Sequence, residues 1–89
     1  MAGEEFGVFQ RLVALEKAQD FAAVISLCET QITRTPTWLT PYLFLGAAYA
    51  NTGQREKAIA NLRHVVTHAA GDPDYQRAQE LLAKLEAAR

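Results

Sequence analysis

The 89-residue chain carries a nearly balanced charge, formally −1 at pH 7, so it lacks the strongly basic surface with which proteins bind nucleic acids. Its composition, 49% hydrophobic and 21% charged, is that of a folded globular protein of one domain. No run of about 18 apolar residues could form a membrane-spanning helix, and the acidic Glu4 and Glu5 are unlike the start of a secretory signal. We therefore expect a cytoplasmic protein that neither binds nucleic acid nor inserts into a membrane.

Apolar residues recur at intervals of three and four along the first part of the chain, which predicts two amphipathic helices. The first is expected over residues 5–18 and the second over residues 21–34. Asp20 is a suitable N-cap for the second helix because its carboxylate can accept a hydrogen bond from the first turn. Thr35 and Pro36 end that helix, since a residue that precedes proline is pushed out of helical geometry.

A third helix is expected over residues 40–51. Pro41 suits the first helical position, where its missing N–H costs nothing, and Thr40 before it is expected to act as the cap. Gly53 follows in the turn, where it can adopt a positive φ. A fourth helix is expected over residues 55–68.

A fifth helix is expected over residues 73–88. Asp72 is its expected cap and Pro73 its first residue, after a break that begins at Ala70. The three prolines of the chain thus all lie at expected helix boundaries.

The chain also resembles itself at an offset of 34 residues, because apolar character is mostly kept although identities are few. Val24 aligns with Ala58, for example, and Cys28 with Leu62. An offset of about this size is typical of stacked helix-pair repeats.

The second helix pair carries a recognisable pattern of aromatic, small and aliphatic residues. The pattern consists of Tyr42, Leu45, Gly46, Tyr49, Gly53, Ala58 and Leu62. It resembles a tetratricopeptide repeat. Gly46 and Ala58 are small where two helices cross, so the backbones can approach closely, and the larger residues fill the space around the crossing.

The first pair departs from this pattern: Leu12 falls where the family prefers a small residue, Arg11 where it prefers leucine, and Gln19 replaces the turn glycine. We interpret residues 5–38 as a degenerate repeat. The remaining predicted divisions are a full repeat over residues 39–72, a capping helix over 73–89, and a disordered or cloning-derived N-terminus over 1–4. The resemblance implies an all-α fold, a short right-handed α-solenoid of antiparallel helix pairs with about five helices.

The resemblance also implies a non-catalytic protein–protein interaction module, or scaffold, that binds a peptide or helix in a concave groove lined by the first helix of each pair. The groove positions that it implies are Phe6, Phe9, Val13, Glu16 and Lys17, then Thr40, Leu43, Ala47, Ala50 and Asn51, and finally Arg77, Leu81, Lys84 and Leu85. The alternative is that Phe6, Phe9 and Leu43 are core residues of a short bundle. Family members that bind chaperone tails use a clamp of lysines, an arginine and asparagines, which Phe9, Val13 and Ala47 replace here.

Two other functions remain open on the same sequence. Arrays of this kind usually need about three repeats, so an apolar first helix with Phe6 and Phe9 could serve homodimerisation, with exchange of helices through the segment 36–41. The chain could equally be an excised part of a larger multi-repeat protein, in which neighbouring repeats cover that face.

The remaining candidate residues each have a functional and a structural interpretation. Trp38, between two prolines, either anchors an interface or covers the edge of the core. Cys28, the only cysteine, excludes an intramolecular disulfide, and its apolar neighbours favour a buried position.

His64 and His68 have metal-ligand spacing but no obvious third ligand beyond Asp72, so we expect no metal and no other cofactor. The charged run 55–57 is expected to be a solvated helix start, and no motif for an enzyme reaction is present in the sequence.

Overall fold

The computed structural model describes residues 3–87, which form five α-helices and no strand. In chain order the helices are α1 (Gly3–Lys17), α2 (Phe21–Arg34), α3 (Thr40–Asn51), α4 (Arg55–His68) and α5 (Pro73–Ala87). Each helix packs against the next one, and α3 also contacts α1 and α5. Short connections make successive helices antiparallel. The predicted all-α class with about five helices is confirmed.

The helix boundaries agree closely with those predicted. α2, α3 and α4 begin and end at the expected residues. α1 begins earlier, so residues 3 and 4 are helical rather than part of an unstructured N-terminus. Residues 1 and 2, and the predicted end of the last helix at Ala88, lie outside the described residues.

Two of the three predicted N-caps are confirmed. The Asp20 carboxylate accepts the N–H of Ala23 at 3.2 Å, and the Asp72 carboxylate accepts the N–H of Asp74 at 2.9 Å. The cap role predicted for Thr40 is wrong. Thr40 lies inside α3, and its hydroxyl instead donates to the Asp74 carboxylate at 2.6 Å, which joins the N-terminal ends of α3 and α5.

The turns within the two helix pairs have the same backbone geometry, 34 residues apart. Gly53 has a φ of +77°, and Gln19, which stands where a glycine is expected, has a φ of +59°. The residue after each of them donates its N–H to a carbonyl five residues earlier, at 3.0 Å in the first turn and 2.8 Å in the second. Gln19 therefore keeps the turn geometry without glycine, at a cost in backbone strain.

The core consists of two apolar clusters that meet at α3. The cluster on the side of α1 and α2 contains Leu12, Val24, Cys28, Phe44, Leu45, Ala48, Tyr49 and Ala58. The cluster on the side of α4 and α5 contains Leu43, Leu62, Val65, Ala69 and Ala78. From Thr40 to Tyr49 every residue of α3 except the half-buried Tyr42 is buried, as expected for a helix that is apolar on all sides.

Gly46 lies at the crossing of α3 and α4, as predicted. A Cβ atom placed on it would lie 2.7 Å from Cγ of Leu62, and both Leu62 and Ala58 are fully buried. In the first pair Leu12 of α1 corresponds to Gly46 and Cys28 of α2 corresponds to Leu62, and both are fully buried. The larger residue of the crossing is therefore on the first helix of this pair, whereas in the second pair it is on the second helix. Leucine in place of glycine holds the backbones further apart, and α1 accordingly contacts α2 much less extensively than α3 contacts α4.

None of the helices within residues 3–87 combines the length and the apolar character that a bilayer-spanning segment requires.

Candidate partner-binding site

The helices predicted to line a groove, α1, α3 and α5, lie side by side with α3 in the middle. Over residues 3–87 the two outer helices do not pack against each other, but one pair of side chains bridges them: Arg77 of α5 and Glu16 of α1 form an ion pair with an N–O distance of 3.5 Å. Such an exposed, long pair contributes little stability. It does show that two of the predicted groove residues, from opposite ends of the chain, are neighbours.

The middle of the predicted groove is closed. Leu43 is only 4% exposed and Ala47 5%, so these two residues cannot contact a partner, and Thr40 is little more accessible at 6%. Leu43 packs in the cluster of α4 and α5, which decides in favour of the core interpretation for this residue. The reason is that other helices pack against α3 on both sides. A comparison of single positions with a repeat family does not show how closely those helices pack.

The other predicted groove residues are accessible to different degrees. Those that are exposed are Phe6, Lys17, Asn51, Arg77 and Lys84, and those that are half-buried are Phe9, Val13, Glu16, Ala50, Leu81 and Leu85. Phe6 is 53% exposed and is the one exposed large hydrophobic residue in the described part of the chain. The amide of Asn51 donates to the Ala47 carbonyl of its own helix at 2.8 Å and is thereby partly occupied.

The aromatic residues of the predicted repeat pattern serve packing. The ring of Tyr42 stacks on that of His64 with centroids 4.1 Å apart, and the ring of Tyr49 is buried beneath Lys57, whose Nζ lies 5.5 Å from the centroid. Burial raises the pKa of Tyr49, and the nearby Glu29 carboxylate raises it further.

An open cavity of about 510 Å³ lies where the N-terminal ends of α1, α3 and α5 come together. We call it the Trp38 cavity; its lining residues are Glu5, Phe9, Thr37, Trp38, Leu39, Thr40, Asp72, Pro73 and Asp74. Of the predicted groove residues it includes only Phe9 and Thr40. The ring of Phe9 is held edge-on against Phe44 at a centroid distance of 5.9 Å, which fixes its orientation at the cavity wall.

The chemistry of the Trp38 cavity is aromatic and acidic. Trp38, Phe9 and Leu39 supply apolar walls, whereas Glu5, together with Asp72 and Asp74, supplies carboxylates, and no basic side chain is among the lining residues. Asp74 lies in the first turn of α5 and Asp72 caps that helix, and carboxylates are favoured at both positions. Such a cavity suits an apolar side chain with a basic group beside it.

A second cavity, of about 560 Å³, lies between α1 and the C-terminal end of α2. It is lined mainly by polar side chains, including those of Arg11, Gln31 and Arg34. None of the predicted groove residues borders it, and it has no aromatic wall. It therefore offers fewer of the apolar contacts that bind protein partners.

The two histidines contact each other along α4. The Nδ1 atom of His68 lies 2.9 Å from the His64 carbonyl oxygen, and the two rings are 4.4 Å apart. Within residues 3–87 no three histidine, cysteine, aspartate or glutamate side chains are grouped as metal ligands. Burial lowers the pKa of His64, and the neighbouring His68 lowers it further.

Cys28 is fully buried, as predicted. Burial raises the pKa of its thiol from 9.0 to about 12, with smaller contributions from the carboxylates of Glu29 and Glu16. A thiol in this environment is almost entirely neutral at physiological pH and is a poor nucleophile.

The interpretation of residues 55–57 as a solvated helix start is wrong for one of the three. Arg55 is half-buried, and its Nε donates to the carbonyl oxygen of Leu85 at 3.1 Å, close to the end of α5. Cationic groups stabilise helix C-termini in this way. Glu56 is exposed, in agreement with the prediction.

Comparisons of the chain with protein-family models, curated proteins and solved structures find no match. The class of protein is therefore defined by the arrangement of its helices alone. Residues 3–87 define a small all-α protein whose five helices pack against their neighbours, as in a short helical repeat.

Proposed function

We propose that this chain is a tetratricopeptide-like module that binds a segment of another protein at the Trp38 cavity and catalyses no reaction. The observation that carries the proposal is the cavity itself, an open space of about 510 Å³ with aromatic walls and an acidic lining. Aromatic residues in a partly enclosed pocket are frequent anchors of protein interfaces.

The repeat geometry supports the tetratricopeptide-like part of the proposal. The positive φ angles at Gln19 and Gly53 are separated by one repeat period, and the hydrogen bond from Thr40 to Asp74 joins equivalent positions of successive units. The close crossing at Gly46 is what the pattern of small residues predicted. The right-handed sense of stacking belongs to the same proposal.

The bound segment is expected to insert an aromatic or aliphatic side chain between Trp38 and Phe9. A basic residue beside that anchor would approach Glu5 and Asp72 at the cavity lining. Because Leu43 and Ala47 are buried, the segment does not lie along the middle of α3. Binding is thus displaced from the centre of the predicted groove to its N-terminal end.

The proposal is tested by selecting peptides from a random display library on the immobilised protein. We expect enriched peptides to share an apolar anchor followed or preceded by arginine or lysine. Trp38 is the only tryptophan of the chain, so its fluorescence reports directly whether a peptide enters the cavity. Peptides whose arginine is replaced by glutamate should bind at least tenfold more weakly, which corresponds to about 1.4 kcal/mol.

Matched variants give the control. Glu5→Lys should weaken binding of a basic peptide, whereas Glu56→Lys, the same change at an exposed residue outside the cavity, should leave binding unchanged. Trp38→Ala should abolish binding while the far-ultraviolet circular dichroism spectrum is retained. Selected peptides that bind Trp38→Ala as tightly as the unmodified protein would show that the site lies elsewhere.

A further inference from the structure

A second surface of the molecule, which shares only Phe9 with the Trp38 cavity, is the outer face of α1. Its residues are Phe6, Phe9, Gln10, Val13, Ala14 and Lys17, which border a shallow depression of about 450 Å³. It includes the 53% exposed ring of Phe6. An exposed aromatic ring beside further apolar side chains is typical of a surface that another chain covers.

The opposite end of the array has the reverse character. The α5 positions that lie one repeat after the crossing residues of α3 are Gln76, Gln79, Glu80 and Ala83, and all of them are exposed. A mainly polar face does not favour the packing of a further apolar helix, so head-to-tail stacking of copies through α5 is unfavourable. An association of two copies in which each α1 face covers the other pairs α1 with α1 and gives a closed two-fold dimer.

The charges of α1 favour one relative orientation. Glu4 and Glu5 lie in its first turn and Lys17 in its last. In an antiparallel pair Lys17 of each copy approaches the acidic first turn of the other, and the helix dipoles are opposed. In a parallel pair the like charges would face each other, which costs energy.

The side-chain sizes are self-complementary in the same orientation. A two-fold axis at Gln10, the midpoint of α1, sets Phe6 opposite Ala14 of the second copy and Val13 opposite its Gly7. Gly7 is exposed, and a Cβ placed on it meets nothing within 4 Å. Bulky side chains thus meet small ones along the contact, which allows two helices to pack closely.

We infer that the outer face of α1 binds a second copy of this chain in an antiparallel helix pair. The face of a 15-residue helix is about 22 Å long. Paired with itself it buries on the order of 600–800 Å² over both chains, less than the roughly 1,200 Å² of lasting complexes. The dimer is accordingly weak and exchanges rapidly, with a dissociation constant in the micromolar to millimolar range.

Sedimentation equilibrium from micromolar to millimolar protein tests the inference. The apparent mass should rise with concentration from that of the 9.8 kDa monomer towards twice that value. Phe6→Asp should raise the dissociation constant at least tenfold, whereas Ala22→Asp, the same added charge on an exposed residue of α2, should leave it unchanged. Phe6 does not line the Trp38 cavity, so this variant leaves the proposed partner site intact.

A charge exchange tests the orientation. Lys17→Glu and Glu4→Lys should each weaken self-association, because each sets like charges together at both ends of the helix pair. An equimolar mixture of the two variants should form a heterodimer, since each exchanged position then faces an opposite charge at the position with which it pairs. The control is a mixture of Lys17→Glu with Glu80→Lys, which has the same charge as Glu4→Lys but carries the change on α5; Glu80→Lys should associate with itself as the unmodified chain does, but it should not pair more tightly with Lys17→Glu.

Three results would overturn the inference. They are a monomer at every concentration, self-association that Phe6→Asp does not weaken, and heterodimer formation by Lys17→Glu that is as strong with Glu80→Lys as with Glu4→Lys.

Discussion

The α3–α4 crossing can be tested with one substitution made at two glycines. Gly46 and Gly7 both lie inside helices, in α3 and α1 respectively, so alanine gives the same gain in helix preference at each. They differ only in their surroundings. A Cβ on Gly46 would lie 2.7 and 2.8 Å from two carbon atoms of the Leu62 side chain, whereas one on Gly7 meets nothing within 4 Å. The two variants should therefore change stability in opposite directions.

The magnitudes follow from these contacts. Gly7→Ala should stabilise the fold by about 0.5–1 kcal/mol through helix preference alone. Gly46→Ala gains the same amount but forces a methyl group against Leu62, which is fully buried and cannot swing into solvent. Overpacking of this kind costs about 1–3 kcal/mol, so a net loss of about 1 kcal/mol is expected. Gly46→Leu adds a longer side chain at the same contact and should lose about 1–3 kcal/mol.

Thermal unfolding followed by circular dichroism measures these differences. A change of 1 kcal/mol shifts the melting temperature of a domain of this size by roughly 4–8 °C, so Gly46→Ala should melt several degrees below the unmodified protein and Gly7→Ala a few degrees above it. If Gly46→Ala melts at or above the temperature of the unmodified protein while Gly7→Ala is stabilised, the helices do not cross closely at Gly46 and the reasoning is refuted.

Three further predictions concern single residues. Gln19→Gly should stabilise the fold by about 0.5–1 kcal/mol because it removes a side chain from a positive φ, while Gln10→Gly, inside α1, should destabilise it by a similar amount; urea denaturation measures both. Cys28 should react with a thiol reagent at pH 8 only as fast as the protein unfolds, because the side chain is fully buried and the same burial, which raises its pKa to about 12, keeps it a neutral thiol. The pKa of His64 is lowered below 6.5 in the fold, so on acidification the unfolded chain binds a proton at this residue before the folded protein does. The melting temperature should therefore fall as the pH decreases through 6.5. In His64→Phe this fall should be smaller.

The helix boundaries could be predicted from the sequence because local chemistry sets them. The carboxylate of Asp20 needs only its own next turn to act as a cap, and Gly53 needs only its own backbone freedom. The close crossing at Gly46 was also recognisable, since small residues at fixed spacing on two successive helices, here Gly46 and Ala58, let the backbones approach.

The Trp38 cavity could not be predicted in the same way. It brings together Glu5, Trp38 and Asp72, which belong to three segments separated along the chain and brought together by the packing of whole helices. From the sequence Trp38 is either an interface anchor or a cover for the edge of the core, and neither interpretation includes the acidic residues that surround it in the fold. The burial of Leu43 and Ala47 could not be predicted for a related reason. It depends on how closely the helices on both sides approach α3, and the residues of α3 alone do not determine those distances.

The position of α3 between the two apolar clusters has a consequence for how the molecule unfolds. In long arrays of repeats, end units can open while the remainder stays folded. Here separation of α1 and α2 would expose one side of α3, including Phe44, and separation of α5 would expose the other, including Leu43. Neither half therefore retains a complete core without the other. The five helices should unfold in one cooperative transition, in which the amide hydrogens of α3 exchange with solvent last.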